Sequence, residues 1–168
     1  MHPLLGGRIS FLLLLLLPMP ESLSPRLRIV QINDVYELDA FPHLATLIQE
    51  HKPCLVVCAG DFLAPSLLSS LDHGRGMMDV LESVGCTHVC IGNHETDIPM
   101  TALAERIQES KSITWINSNM PDLDEKLGIT DRKTVPYSIV SAGDKKVALL
   151  GLLTEDPSLY RLTSFGGA

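Results

Sequence analysis

Three short polar runs hold the side chains best suited to chemistry. Asn33-Asp34-Val35-Tyr36 follows the apolar stretch 27–32, Gly60-Asp61 follows 54–59, and Gly92-Asn93-His94-Glu95-Thr96-Asp97 follows 87–91. Carboxylate, amide and imidazole donors suit hard or borderline divalent ions, and a carboxylate can bridge two of them. Two ions about 3.5–4 Å apart would clamp a phosphoryl group, activate water as hydroxide and stabilise a leaving oxygen. Taken singly, an Asp at the end of a strand reads as a turn residue or a helix cap. The metal reading rests on the three runs occurring in series.

The other reactive residue types carry less. His43 and His51 flank or lie on a helical stretch, His73 sits in a glycine-containing loop, and His88 alternates with apolar neighbours as a core imidazole does. Ser66 has neither a nucleophile elbow nor a paired base and reads as a helix cap. Cysteines occur as Cys54-x3-Cys58 and Cys86-x3-Cys90. Residues four apart on a strand are separated by about 13 Å, too far for a disulfide within either pair. Side-by-side strands in register would make Cys58 and Cys90 neighbours, and small buried hydrophobes are the favoured reading. No paired-cysteine zinc spacing is present.

The elements that must position these residues follow from periodicity. Stretch 27–32 alternates as a strand, and from Phe41 the residues Leu44, Leu47 and Ile48 recur at helical spacing up to Lys52-Pro53. Stretch 54–59 is continuously apolar, as a strand buried on both faces would be. A loop or helix with Pro65 and Ser66 follows, and then Met77, Met78, Leu81 and Val84 mark a helix closing at Gly85. Strand 87–91, a helix carrying Met100, Leu103, Ala104 and Ile107, and strand 113–116 come next, followed by a polar loop rich in Asp and Lys. Stretches 137–140 and 146–150 flank Ala142-Gly143-Asp144 as a hairpin. Alternating strands and helices with polar strand ends predict an α/β fold: a mixed, largely parallel sheet flanked by helices, with the chemistry along one edge. The tail 163–168 shows no closing strand, so a truncated sheet is expected.

With 168 residues, 45% apolar and 20% charged, the chain has the composition of one folded domain. A net charge of -7 argues against binding a nucleic-acid duplex through its phosphates. Residues 1–25 form a leader in which His2 and Arg8 precede the apolar run 9–17 and Pro18-Met19-Pro20. That run is shorter than the ~20 residues of a transmembrane helix, so no membrane span is expected. The leader is placed like a secretory signal. The alternative is a disordered segment. Secretion is expected in the first case and a cytoplasmic location in the second.

In order and spacing, Ile32-Asn33-Asp34-Val35-Tyr36, Ala59-Gly60-Asp61-Phe62-Leu63-Ala64-Pro65-Ser66 and Gly92-Asn93-His94-Glu95-Thr96-Asp97 resemble the calcineurin-like metallophosphoesterases, in the branch of 5'-nucleotidases and 2',3'-cyclic phosphodiesterases. The resemblance makes 26–168 the N-terminal part of a catalytic domain and implies hydrolysis of nucleotides or related small phosphoesters. Its cofactors would be two divalent ions drawn from Zn, Mn, Mg, Ca or Fe. It implies Asp34 on the first metal, Asp61 bridging both and Asn93 on the second. His94 would donate to the phosphoryl or leaving oxygen, Asp97 would orient His94, and Glu95 would be structural. Tyr36 stands where the family usually has a histidine ligand, and a neutral phenol is a poor one. The family's later metal-binding histidines have no counterpart, since no histidine follows His94. The expectation is an incomplete dinuclear centre, nearly inactive in this chain alone. The alternative is a noncatalytic or regulatory fragment that keeps the scaffold. A generic nucleotide-binding sheet is disfavoured because no glycine-rich phosphate loop is present.

Overall fold

A computed structural model describes residues 11–14, 27–142 and 145–160. In chain order the elements are β1 (Phe11–Leu14), β2 (Ile29–Ile32), α1 (Phe41–His51), β3 (Leu55–Cys58), α2 (Leu67–Asp72), α3 (Arg75–Ser83), β4 (His88–Cys90), α4 (Met100–Glu109), β5 (Thr114–Ile116), α5 (Leu123–Lys126), β6 (Thr134–Val135), β7 (Ser138–Ala142) and β8 (Lys145–Leu152). Strands β2-β3-β4-β5-β6 form a parallel sheet in sequence order, and β1-β8-β7 form an antiparallel one.

The sequential strand order explains the layers. Right-handed crossovers that always step in the same direction place every connecting helix on one face of the sheet. That face carries the larger core, in which Phe62, Leu81, Leu103, Ile107 and Trp115 are buried, and the Phe62 and Trp115 rings lie 5.7 Å apart. The opposite face is covered by the antiparallel sheet: Leu55, Val57 and Ile116 pack against Ala142, Val147 and Leu149. With both faces covered, all four residues of β3 are buried, as its unbroken apolar run predicts.

Local signals set the element ends. Ser66 caps α2 in a reciprocal box: its hydroxyl accepts the Ser69 N–H at 3.0 Å while the Ser69 hydroxyl accepts the Ser66 N–H at 2.8 Å. Lys52, in the left-handed region, closes α1 through an N–H to the Ile48 carbonyl. The hairpin forms as β7 and β8, while Gly143 and Asp144 of its turn lie outside the described residues.

Other features depart from the sequence reading. Cys58 pairs with Val89, not Cys90. Because side chains alternate along a strand, this one-residue offset sends Cys58 and Cys90 to opposite faces of the sheet. All four cysteines are free, and Cys54 is exposed, unlike the other three. The Asp- and Lys-rich loop contains α5 and β6. Its Asp124 is buried and accepts the Lys133 and Thr134 N–H groups at 3.0 and 3.1 Å, which anchors β6 at the sheet edge. Within the apolar leader, Phe11–Leu14 pairs with β8, with Phe11 opposite Leu152. The rest of the leader lies outside the described residues. Among the described residues no helix is long and apolar enough to cross a membrane.

Candidate metal centre

In a parallel sheet the loops after successive strands emerge at the same edge. Asp34 follows β2, Asp61 follows β3, and Asn93 to Asp97 follow β4, so three adjacent strands deliver them side by side. Asp61 comes from the middle strand. The main chain draws the loops together further: the Asp34 N–H donates to the Gly60 carbonyl at 3.3 Å, and the Ala59 N–H to the Ile32 carbonyl at 2.8 Å. Asp34 and Asp61 both adopt positive φ, at 54° and 57°. Such backbone is uncommon outside glycine and clusters at functional sites.

Between the β3 and β4 loops the approach is close enough to require two glycines. A Cβ on Gly60 would lie 2.7 Å from the Gly92 nitrogen, and a Cβ on Gly92 would run into Asp61 Oδ1. This contact lets Asp61 reach across: its Oδ1 accepts the His94 N–H at 2.8 Å, although the Asp61 residue is only 1% exposed.

Glu95 returns the link. Its Oε2 accepts the N–H groups of Asp61 at 2.8 Å and Gly92 at 2.6 Å, and its Oε1 accepts those of Phe62 at 2.7 Å and Leu63 at 2.9 Å. Burial pushes the Glu95 carboxyl up, the amide of Leu63 opposes this, and the like charge of Asp61 raises it again.

His94 and Asp97 lie on the short 3₁₀ turn His94–Asp97, whose three-residue spacing puts them on one side. Nδ1 of His94 meets Asp97 Oδ2 at 2.6 Å. Tyr36 packs perpendicular to the His94 ring with centroids 5.8 Å apart, and its hydroxyl donates to Asp34 Oδ1 at 3.2 Å. Asp34 Oδ2 accepts the Asn33 side-chain amide at 2.6 Å.

Asn93 is held from far along the chain, as its Nδ2 donates to the Leu159 carbonyl at 3.1 Å. The next residue, Tyr160, donates its hydroxyl to the Thr154 carbonyl at 2.5 Å. Burial, and then the charges of Asp61 and Asp156, push that phenol up to about 12. Neither Leu159 nor Tyr160 stands out in the sequence, because a partner 66 residues away leaves no local signal.

After β5 the polar run turns inward. Asn119 exchanges two hydrogen bonds with Leu153, at 2.7 and 2.9 Å, and Asn117 bonds both ways with Met120. Asn119 thereby joins the strand end to the segment that follows β8. His88 is the buried imidazole its alternation predicts, with Nδ1 2.9 Å from Thr87 Oγ1 and Nε2 3.0 Å from Ser138 Oγ.

The donor set fits a divalent cation in its chemistry. Carboxylates and amide oxygens are hard donors, and the Leu159 carbonyl takes the Asn93 Nδ2, so the amide oxygen is the Asn93 atom that could face a cation. The mutual repulsion of buried Asp61 and Glu95 is also a field that a cation would reverse. Among the described residues, no three His, Cys, Asp or Glu side chains form a metal-holding group by themselves.

The chain is similar to known proteins. Residues 27–162 match the family model for calcineurin-like phosphoesterases. Snake venom 5'-nucleotidase from Gloydius brevicauda is 25% identical over 116 residues, covering 67% of this chain and 20% of the venom protein. NAD 5'-nucleotidase from Haemophilus influenzae is 29% identical over 111 residues, covering 66% of this chain and 18% of that protein. The solved structure of the Haemophilus influenzae NAD nucleotidase superposes with a TM-score of 0.65 at 25% identity, over 79% of this chain and 27% of that one. The chain thus spans about a fifth of the length of these curated relatives.

Proposed function

This chain belongs to the calcineurin-like phosphoesterase family, and from that premise we propose that it carries the metal-binding half of a site that hydrolyses phosphoesters, with nucleotides as the substrate class. The observation that carries the reading is the crossed link between the β3 and β4 loops, which holds the Asp61 carboxylate against the His94 backbone. Nucleotide preference draws its support from the names of the relatives. Export by way of the apolar leader belongs to the same proposal.

On this reading Asp34 and Asn93 would each hold a divalent ion, and Asp61, arriving from the strand between theirs, would serve both. Bound ions supply Lewis acidity toward the phosphoryl oxygens and a hydroxide-like water at neutral pH. The protein's own residues do the rest. Asp97 holds Nδ1 of His94, so Nε2 is the nitrogen that meets the substrate. A water oxygen, its proton released to solvent, would bond to phosphorus as the phosphorus–oxygen ester bond breaks, and the Nε2 proton would pass to the leaving oxygen and be replaced from solvent. Asp97 balances the charge while both ring nitrogens carry protons. Tyr36, whose hydroxyl donates to Asp34, is on this reading not a ligand. The first ion is accordingly the more weakly held.

Metal content and turnover test this together. The chain is dialysed against Mn²⁺ or Zn²⁺, its metal is measured by elemental analysis, and phosphate release from a nucleoside monophosphate is followed. Asp61→Ala should lose bound metal. His94→Ala should keep its metal and lose turnover by about 10²–10⁴-fold, the usual worth of a general acid. A wild-type chain that binds no ion, or equal and mild effects of both substitutions, overturns the assignment. The first result would favour a noncatalytic scaffold.

A further inference from the structure

Glu95 has a more defined role than a buried structural acid. Three successive backbone N–H groups, from Asp61, Phe62 and Leu63, converge on its carboxylate. They follow Gly60 at φ 86° and Asp61 at φ 57°. Consecutive amides in such a turn make a nest of the kind that binds phosphate and other anions. Here the chain supplies its own anion, and the Glu95 residue is 0% exposed. The nest is therefore closed to a substrate phosphate.

The same carboxylate also takes the Gly92 N–H, one residue before Asn93 and two before His94. Glu95, from the β4 loop, thus fixes the main chain of Asp61. Asp61, from the β3 loop, fixes the main chain of His94. The two links run in opposite directions between the same two loops, so neither loop can shift without breaking a charge-assisted hydrogen bond.

Resting on the metal-centre reading above, we propose that Glu95 is the positioning residue of that centre: it fills the nest and sets the separation of the Asp61 carboxylate from the Asn93 amide. It touches neither substrate nor ion. Its effect is on the affinity and geometry with which Asp61 and Asn93 take up a cation.

Glu95→Gln tests this with little change in volume. Each carboxylate oxygen accepts two N–H groups, so whichever way the amide is turned, its NH₂ faces two donors and one arm of the latch opens. Mn²⁺ affinity, measured by calorimetry where circular dichroism shows both proteins folded, should fall about 10–100-fold, the usual effect of losing a residue that orients ligands. The Co²⁺ electronic spectrum should change with it. Ile107→Val, a core change in α4, should alter stability and leave both readouts at wild-type values. Equal Mn²⁺ affinity and an unchanged Co²⁺ spectrum in Glu95→Gln overturn the proposal.

A second measurement needs only the wild-type chain. Coupling is reciprocal: if the latch favours the ion, Zn²⁺ must slow hydrogen exchange at the amides of Asp61, Phe62, Leu63 and Gly92 more than at Leu103 in α4. Equal slowing, or none, with Zn²⁺ bound overturns it. A wild-type chain that takes up no Mn²⁺, Zn²⁺ or Co²⁺ overturns the metal reading itself, and this proposal with it.

Discussion

Gly92→Ala isolates the close approach of the two loops. Gly92 is not among the residues with positive φ, so an alanine there is conformationally free and only space opposes it. Its Cβ would collide with Asp61 Oδ1 and lie 2.7 Å from the Asp61 nitrogen and 2.8 Å from its Cγ. Two of these atoms belong to the side chain that reaches His94, and the third donates to Glu95. Relief therefore means moving Asp61 itself. Overpacking of this kind costs about 1–3 kcal/mol. With the His94 link weakened as well, a loss of about 2 kcal/mol in urea denaturation is expected, near the middle of that range. Gly85→Ala is the control, since Gly85 has φ +85° and nothing within 4 Å of an added Cβ. It should cost about 1–2 kcal/mol of backbone strain and leave Zn²⁺ affinity unchanged, whereas Gly92→Ala should lose affinity along with stability. Retention of full Zn²⁺ affinity by Gly92→Ala, or its equal loss in both variants, would refute the reasoning.

Burial of His88 lowers its pKa from 6.5, so the folded state holds the ring neutral while the unfolded chain takes up a proton below that value. The unfolded state then binds more protons, and stability that is complete above pH 6.5 is lost as pH falls from there through the lowered folded value. Denaturation midpoints from about pH 7 to about pH 5 should therefore fall less in His88→Gln than in wild type; equal declines would remove His88 from the cause. Tyr36→His replaces a hydrogen-bond donor to Asp34 with an imidazole ligand. It should raise metal bound per chain at limiting Zn²⁺ by elemental analysis, and unchanged content would show that position 36 does not face the ion.

Strand identity was legible because burial on two faces leaves a continuous apolar run, as in 54–59, and because such runs ended in glycine and a polar donor. Order along the sheet was less so. That Asp61 comes from the strand between those of Asp34 and Asn93 is a product of sequential parallel packing, and the sequence offers no register to read. The offset of Cys58 onto Val89 shows the limit: a repeated spacing in two strands does not by itself align them. α5 and β6 were hidden by composition, since Asp124, which reads as a loop residue, is buried as the acceptor that ties β6 down. Glu95 was visible as part of a motif, but its partners at 61–63 lie in another loop, and only the fold brings four amides to one carboxylate.

The filled nest constrains how substrate can bind. Backbone amides at a strand end are the usual neutral donors for phosphate, and here Glu95 takes them. What remains at the edge is Asp34, Asp61 and Asp97 beside one imidazole, in a chain of net charge -7. A phosphoester approaching that surface without cations meets charge of its own sign. On the proposed reading, divalent ions are therefore required for the substrate to bind at all, as well as for its hydrolysis. Chelation should abolish equilibrium binding of a nucleoside monophosphate and so act before any effect on rate. Binding of that nucleotide with unchanged affinity after chelation would place its phosphate elsewhere and remove the reason for the carboxylates to gather at this edge.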